Sequence, residues 1–111
     1  MQTEDVDPYL LDVLVDDLES IPDILGRLNA ESPSAWWRIR GAPFDRQELV
    51  LALGRLIGRR LISAYSSHDS EPRLVALPEG VMPDGDWNDA WFGITPAGRI
   101  VHASWNPPRA A

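Results

Sequence analysis

The feature that most constrains the fold is a helical pattern that runs directly into a strand pattern. It extends from Phe44 to Tyr65 and reads FDRQELVLALGRLIGRRLISAY. Apolar residues recur at helical spacing over 45–59, and residues 61–65 then alternate as in a strand. Asp45 is a typical helix N-cap. We predict that this helix buries Leu49, Ala52, Leu53, Leu56, Val50 and Ile57.

Pro, Gly and Asp residues mark the boundaries between the predicted helices and strands in the rest of the chain. Asp7-Pro8 predicts the start of a first helix, and Pro22 is predicted to end or kink it. Trp37 and Ile39 alternate with arginines, which predicts a short strand. Further helices are predicted over 21–28 and 96–104, and further strands over 73–77 and 90–94.

The length of 111 residues fits one domain, which we place at 7–105 between disordered ends at 1–6 and 106–111. The absence of Cys excludes disulfides and thiolate chemistry. The acidic start has no signal-peptide pattern, and the longest apolar run, 49–53, is too short to span a bilayer. We therefore expect a soluble, cytoplasmic protein, with no membrane partner and no cofactor.

Charge is distributed unevenly along the chain. Residues 1–31 hold nine acids and one Arg, a charge of −8, whereas residues 32–60 hold six Arg and two acids, a charge of +4. Residues 61–111 contribute −3, which brings the chain to −7. Because phosphate neutralisation supplies most non-specific DNA affinity, only the central segment is suited to nucleic acid.

A set of spaced residues carries a resemblance to a known superfamily. An aliphatic helix is followed by a Leu-Ile pair, a hairpin, an aromatic residue and T-P-x-G-R. The residues are Ala52, Leu53, Leu56, Leu61, Ile62, Trp91, Ile94, Thr95, Pro96, Gly98 and Arg99. This pattern resembles bacterial winged helix-turn-helix regulators of the multiple-antibiotic-resistance and phenolic-acid-regulator kind. The resemblance covers about 44–104 and implies a small α+β domain of three or more helices with an antiparallel β-hairpin wing.

The resemblance implies a function in transcription regulation. The helix at 45–59 matches the recognition helix that contacts duplex DNA, and the segment 61–94 matches the wing. The protein would then be a binding module and not an enzyme. The candidate DNA- or partner-binding residues are Arg46, Gln47, Leu51, Arg55, Arg59 and Trp87.

Several features favour a protein partner instead. Arg60 departs from the resemblance, because the superfamily usually has Gly there. The loop at 79–89 is acidic and carries Trp87, and Gly54 and Gly58 leave a smooth outer face on the helix. Leu51, on the outer face of the helix, suits an interface better than base readout. The alternative function is thus an acidic winged-helix protein-interaction module: an adaptor, an inhibitor or an immunity-type partner, including one that mimics DNA. A homodimer through residues 8–19 is compatible with either function.

Sites for other chemistry are weakly supported. Residues 84–88 begin like a calcium loop, but the expected Gly and the bidentate Glu are replaced by Asp89 and Thr95. His68 and His102 lack a metal-binding spacing. Adjacent Ser and His residues near 66–69 do not form a nucleophile motif. We therefore predict no metal site and no catalytic site.

Overall fold

The computed structural model describes residues 6–68 and 71–106, which form an α+β domain. Most of the two ends that the sequence predicts to be disordered, 1–5 and 107–111, lies outside these ranges. The domain combines helices with a four-stranded antiparallel sheet. No helix in the described ranges is both long and apolar enough to cross a membrane.

Five α-helices and four strands follow one another within the described ranges. The helices are α1 (Asp7–Leu14), α2 (Ile21–Leu28), α3 (Trp36–Arg40), α4 (Arg46–Gly58) and α5 (Pro96–Ala103). The strands are β1 (Glu19–Ser20), β2 (Ile62–His68), β3 (Glu71–Ala76) and β4 (Trp91–Ile94).

Helix α4 begins as its sequence predicts. The Asp45 carboxylate accepts from the backbone N–H of Glu48, and the Glu48 carboxylate accepts from the N–H of Asp45. This reciprocal capping box satisfies two backbone donors that the first turn leaves without helical partners. The fully buried side chains of α4 are Leu49, Ala52, Leu53, Leu56 and Ile57, whereas Val50 is half-buried.

The chain leaves α4 through a left-handed residue. Arg60 has φ 62°, a conformation that favours glycine, and it stands where the resemblance would place Gly. The Thr95 hydroxyl donates to the Arg60 carbonyl at 2.8 Å, and the Thr95 N–H donates to the Leu61 carbonyl at 3.0 Å. These bonds connect the end of α4 to the turn between β4 and α5.

Strand β2 lies inside the sheet, whose order is β1-β4-β2-β3. Tyr65 pairs with Trp91 of β4 on one side and with Ala76 of β3 on the other. Residues 77–90 must therefore cross from one side of β2 to the other. They form a long loop with a 3-10 turn at Trp87–Asp89.

Helix α5 packs closely on Leu61, just before β2, because of one small residue. Gly98 is buried, and a Cβ atom there would overlap the Leu61 carbonyl and the Ile94 side chain. The Gly98 N–H also donates to the Thr95 hydroxyl, which caps the helix. The glycine of the T-P-x-G-R pattern thus has a packing role.

The strand predicted over 37–39 is wrong. Trp36–Arg40 forms a short helix, in which Arg38 and Ile39 donate backbone bonds to the Ala35 carbonyl. The helix ends on Gly41, which has φ 91°. Alternation over so few residues does not separate a strand from a single helical turn, and the tertiary contacts of the two tryptophans decide between them.

The first helix also differs from its prediction. Helix α1 ends at Leu14 and not near residue 19, because Glu19 and Ser20 pair with β4 as a short strand. Asp7 lies inside the helix, and its side chain makes no capping bond. Pro22 does not end α1; it occupies the first turn of α2, whose N-cap is Ser20.

Candidate functional site: the outer face of helix α4

The outer face of α4 is a narrow exposed stripe. Gln47, Leu51 and Gly58 are exposed, and Gly54 between them is half-buried. Leu51, Gly54 and Gly58 follow Gln47 by four, seven and eleven residues, a spacing that places all four on one side of a helix. Leu51 exposes 51% of its surface at the centre of the stripe. We call these four residues the α4 stripe.

One edge of the α4 stripe is bounded by an ion-pair cluster with α1. The Arg55 guanidinium donates twice to the buried carboxylate of Asp7, once through Nη2 to Oδ1 and once through Nε to Oδ2. Arg59 Nη1 lies 3.8 Å from Asp7 Oδ2. Two predicted DNA contacts are thus directed at a carboxylate of the same domain, so the positive charge on this edge is partly neutralised.

The loop at 77–90 bounds the other edge. Arg46 donates from Nε and Nη2 to Asn88 Oδ1, each at 3.3 Å, and Arg46 Nη2 lies 3.9 Å from Asp86 Oδ1. The Trp87 ring lies 3.9 Å from where a Cβ of Gly54 would stand. A Cβ at this distance would make an ordinary van der Waals contact, so Trp87 packs over Gly54 without requiring a glycine there.

Trp87 is a packing residue as well as a surface residue. It is half-buried, and its ring centroid lies 6.0 Å from that of buried Phe92. The exposed apolar residues of the loop are instead Val81 and Met82. Sequence reasoning singled out Trp87 because it is aromatic and lies among polar residues, and it did not identify Val81.

The loop and the sheet enclose an acidic cavity of about 610 Å³. Asp84, Asp86 and Asp89 line it from the loop, together with Met82, and Trp91 lines it from the sheet. Asp86 also accepts from the Asn88 N–H, which caps the 3-10 turn. The start of the calcium-like pattern therefore serves the local turn in this fold.

The site as a whole does not present a continuous basic face. Each of the three arginines predicted to contact DNA lies beside a carboxylate of the domain, Asp7 or Asp86. An exposed apolar residue, Leu51, lies between the two edges. Such an arrangement suits contact with a mixed apolar and polar surface better than contact with a row of phosphates.

Asp7 is the functional neighbour that sequence reasoning missed. It was predicted to cap α1, and the local sequence offers no signal of its ion pair, because Arg55 lies far along the chain. The only sequence feature that pointed to an ion pair was the acidic residue at the start of the helix. The contact arises from the packing of α1 against α4.

His102 is the histidine whose side-chain contacts the structure describes. His102 Nε2 lies 3.0 Å from Asp12 Oδ1, and Trp36 Nε1 donates to Asp12 Oδ2 at 2.9 Å. This bridge joins α5, α1 and α3. The side chain of His68 lies outside the described residues, and no cluster suited to a metal ion occurs among the described ones.

The chain matches no protein-family model, and it has no significant match among curated proteins or solved structures.

Proposed function

We propose that this protein is a non-enzymatic protein-interaction module of winged-helix-like architecture, which binds a protein partner through the α4 stripe. Support for the architecture comes from the element order. Three packed helices, α1, α2 and α4, precede the β2–β3 hairpin, and α4 passes into β2 through the left-handed Arg60. This order is the one that the resemblance implies for a recognition helix and a wing.

The observation that carries the proposal is the surroundings of Leu51. It is the most exposed apolar side chain of α4, and arginines directed at Asp7 and Asp86 lie on either side of its face. A half-exposed leucine offers no hydrogen bond to a base edge. It contributes instead to an interface, where apolar side chains at the centre are surrounded by a polar rim.

The neighbouring loop defines the chemistry of the partner. Val81 and Met82 are exposed on it beside the acids at 84, 86 and 89. A partner surface with an apolar centre would complement Leu51 of the α4 stripe, and arginines or lysines on the side that faces the loop would complement the loop's acids. Such complementarity sets the specificity and the association rate more than the affinity.

Site-specific photocrosslinking tests the proposal. A photoreactive amino acid replaces the exposed Gln47 in the expressed protein, and a matched control carries it at Ile100 of α5, which is 73% exposed. We expect one protein to crosslink from position 47 and not from position 100. The added change Leu51→Asp should abolish that product. Crosslinks that are equal from both positions, or insensitive to Leu51→Asp, would contradict the proposal.

Duplex DNA is the second candidate, and two exposed cations favour it. The side chains of Arg46 and Arg59 are 51% and 61% exposed despite their acidic neighbours. A gel-shift titration of the wild type and Arg59→Ala at two salt concentrations tests this function. If Arg59 binds a phosphate, its removal should flatten the log–log salt slope by about 1 unit. Nuclease-sensitive crosslinks from position 47 would also identify DNA as the partner.

A further inference from the structure

We propose that a cavity between α1, α4 and α5 binds a small amphipathic carboxylate, with an apolar body inside and the carboxylate at Arg59. The cavity has a volume of about 500 Å³. It lies on the Asp7 edge of α4, on the side away from the loop at 77–90. This binding site shares Asp7, Arg55 and Arg59 with one edge of the α4 stripe, but its apolar interior lies outside the stripe.

The inside of the cavity is apolar. Buried leucines of α1, of α4 and of the turn before β2 form its floor, and half-exposed residues form its rim. The floor residues are Leu11, Leu56 and Leu61, and the rim residues are Pro8, Val101 and Trp105. Small-molecule sites are typically concave and apolar, with volumes of about 300–1,000 Å³ and a few polar groups that fix the orientation of the ligand.

The polar groups at the mouth favour an anion. Asp7, Arg55 and Arg59 line this side, so one negative and two positive charges meet there. Arg55 donates to both oxygens of Asp7, whereas Arg59 lies 3.8 Å from Asp7 and is largely exposed. Among the described residues that line the mouth, arginines outnumber carboxylates, and the exposed Arg59 guanidinium has a planar geometry that suits a carboxylate.

The wall of the cavity is fixed before any ligand arrives. Trp105 packs edge-on against Tyr9, with ring centroids 5.4 Å apart, and it also lies beside Trp36 at 5.5 Å. Tyr9 is itself held against Phe44 and Trp36. A preformed apolar wall reduces the entropy that binding must overcome.

The experiment uses octanoate as the probe and octylammonium, which has the same chain and the opposite charge, as the control. Each is titrated into the isotope-labelled protein, and two-dimensional NMR follows the methyl groups of Leu61 and Val101 and the indole N–H of Trp105. We expect octanoate to shift these signals in a saturable manner and octylammonium to bind at least tenfold more weakly. Equal binding of the two, or no saturable shift with octanoate, would overturn the proposal.

A pair of variants tests the role of the cation. Arg59→Gln removes the charge at the mouth, and Arg27→Gln removes a similarly exposed arginine that is paired with Glu19 outside the cavity. We expect octanoate to bind Arg59→Gln about tenfold more weakly and Arg27→Gln with unchanged affinity. Both side chains are more than half exposed, so both variants should fold. Unchanged affinity in Arg59→Gln would show that the apolar cavity binds without the arginine and would reject the assignment.

Discussion

Helix α4 is held at its two edges by contacts of similar composition and different burial. On the α1 edge, the buried carboxylate of Asp7 receives two arginines. On the loop edge, Asp86 and Asn88 meet Arg46 at the surface. Both edges place arginine beside carboxylate, so charge composition alone would predict the same contribution to stability from each.

The two edges differ in how far their ion pairs are exposed to solvent. A partly buried carboxylate loses hydration and depends on its partners, whereas an exposed ion pair is screened by water and salt. We therefore expect the Asp7 edge to contribute to stability and the loop edge to contribute mainly to the surface properties of α4. By the same reasoning, a binding partner could displace the contacts of the loop edge at a low cost in free energy.

The largest effect should come from a change that loosens both edges together. Leu53 is fully buried on the inner side of α4. Truncation of a buried leucine costs about 2–5 kcal/mol, because its apolar surface is no longer buried and a cavity remains. We expect Leu53→Ala to lower the free energy of unfolding by this amount in urea titration. Leu51→Ala on the outer face is the matched control and should lower it by less than about 1 kcal/mol. Similar losses in the two variants would mean that the inner face is misassigned.

An intermediate effect should separate the two edges. Asp7→Asn removes the charge that holds Arg55 and Arg59, and loss of hydrogen bonds between charged groups costs about 2 kcal/mol. Asp86→Asn is the matched change on the loop edge and should stay within about 0.5 kcal/mol, because the pair is exposed and Asn still caps the 3-10 turn. Urea titration of both variants measures the comparison. Equal losses would show that burial does not distinguish the edges.

The smallest effect concerns the packing of Trp87 against Gly54. Gly54→Ala adds a Cβ at an ordinary van der Waals distance, 3.9 Å, from the Trp87 ring. Replacing a glycine inside a helix with alanine improves helix propensity by about 1 kcal/mol. We expect Gly54→Ala to raise the melting temperature without shifting the indole signal of Trp87 in NMR. A lower melting temperature would show that the loop edge needs closer packing than this distance implies.

The sequence was most informative where the signal is local. The periodic apolar residues of α4, the Asp45 cap and the Thr95-Pro96 start of α5 all lie within one or two turns of the structure that they specify. The α+β class and the helix bounds near 21–28 and 46–58 followed from such signals. The strand at 37–39 failed because so short a segment has no decisive period.

Pairings between distant segments were decided by the tertiary structure alone. The short strand at Glu19 exists because β4 pairs with it, and Asp7 meets Arg55 because α1 packs on α4. The crossing of residues 77–90 brought Trp87 onto Gly54. The sequence by itself determined which residues are apolar, charged or helix-starting, since these are properties of neighbouring positions. Only the folded chain decided which arginines meet carboxylates, because partnership depends on elements far apart in sequence.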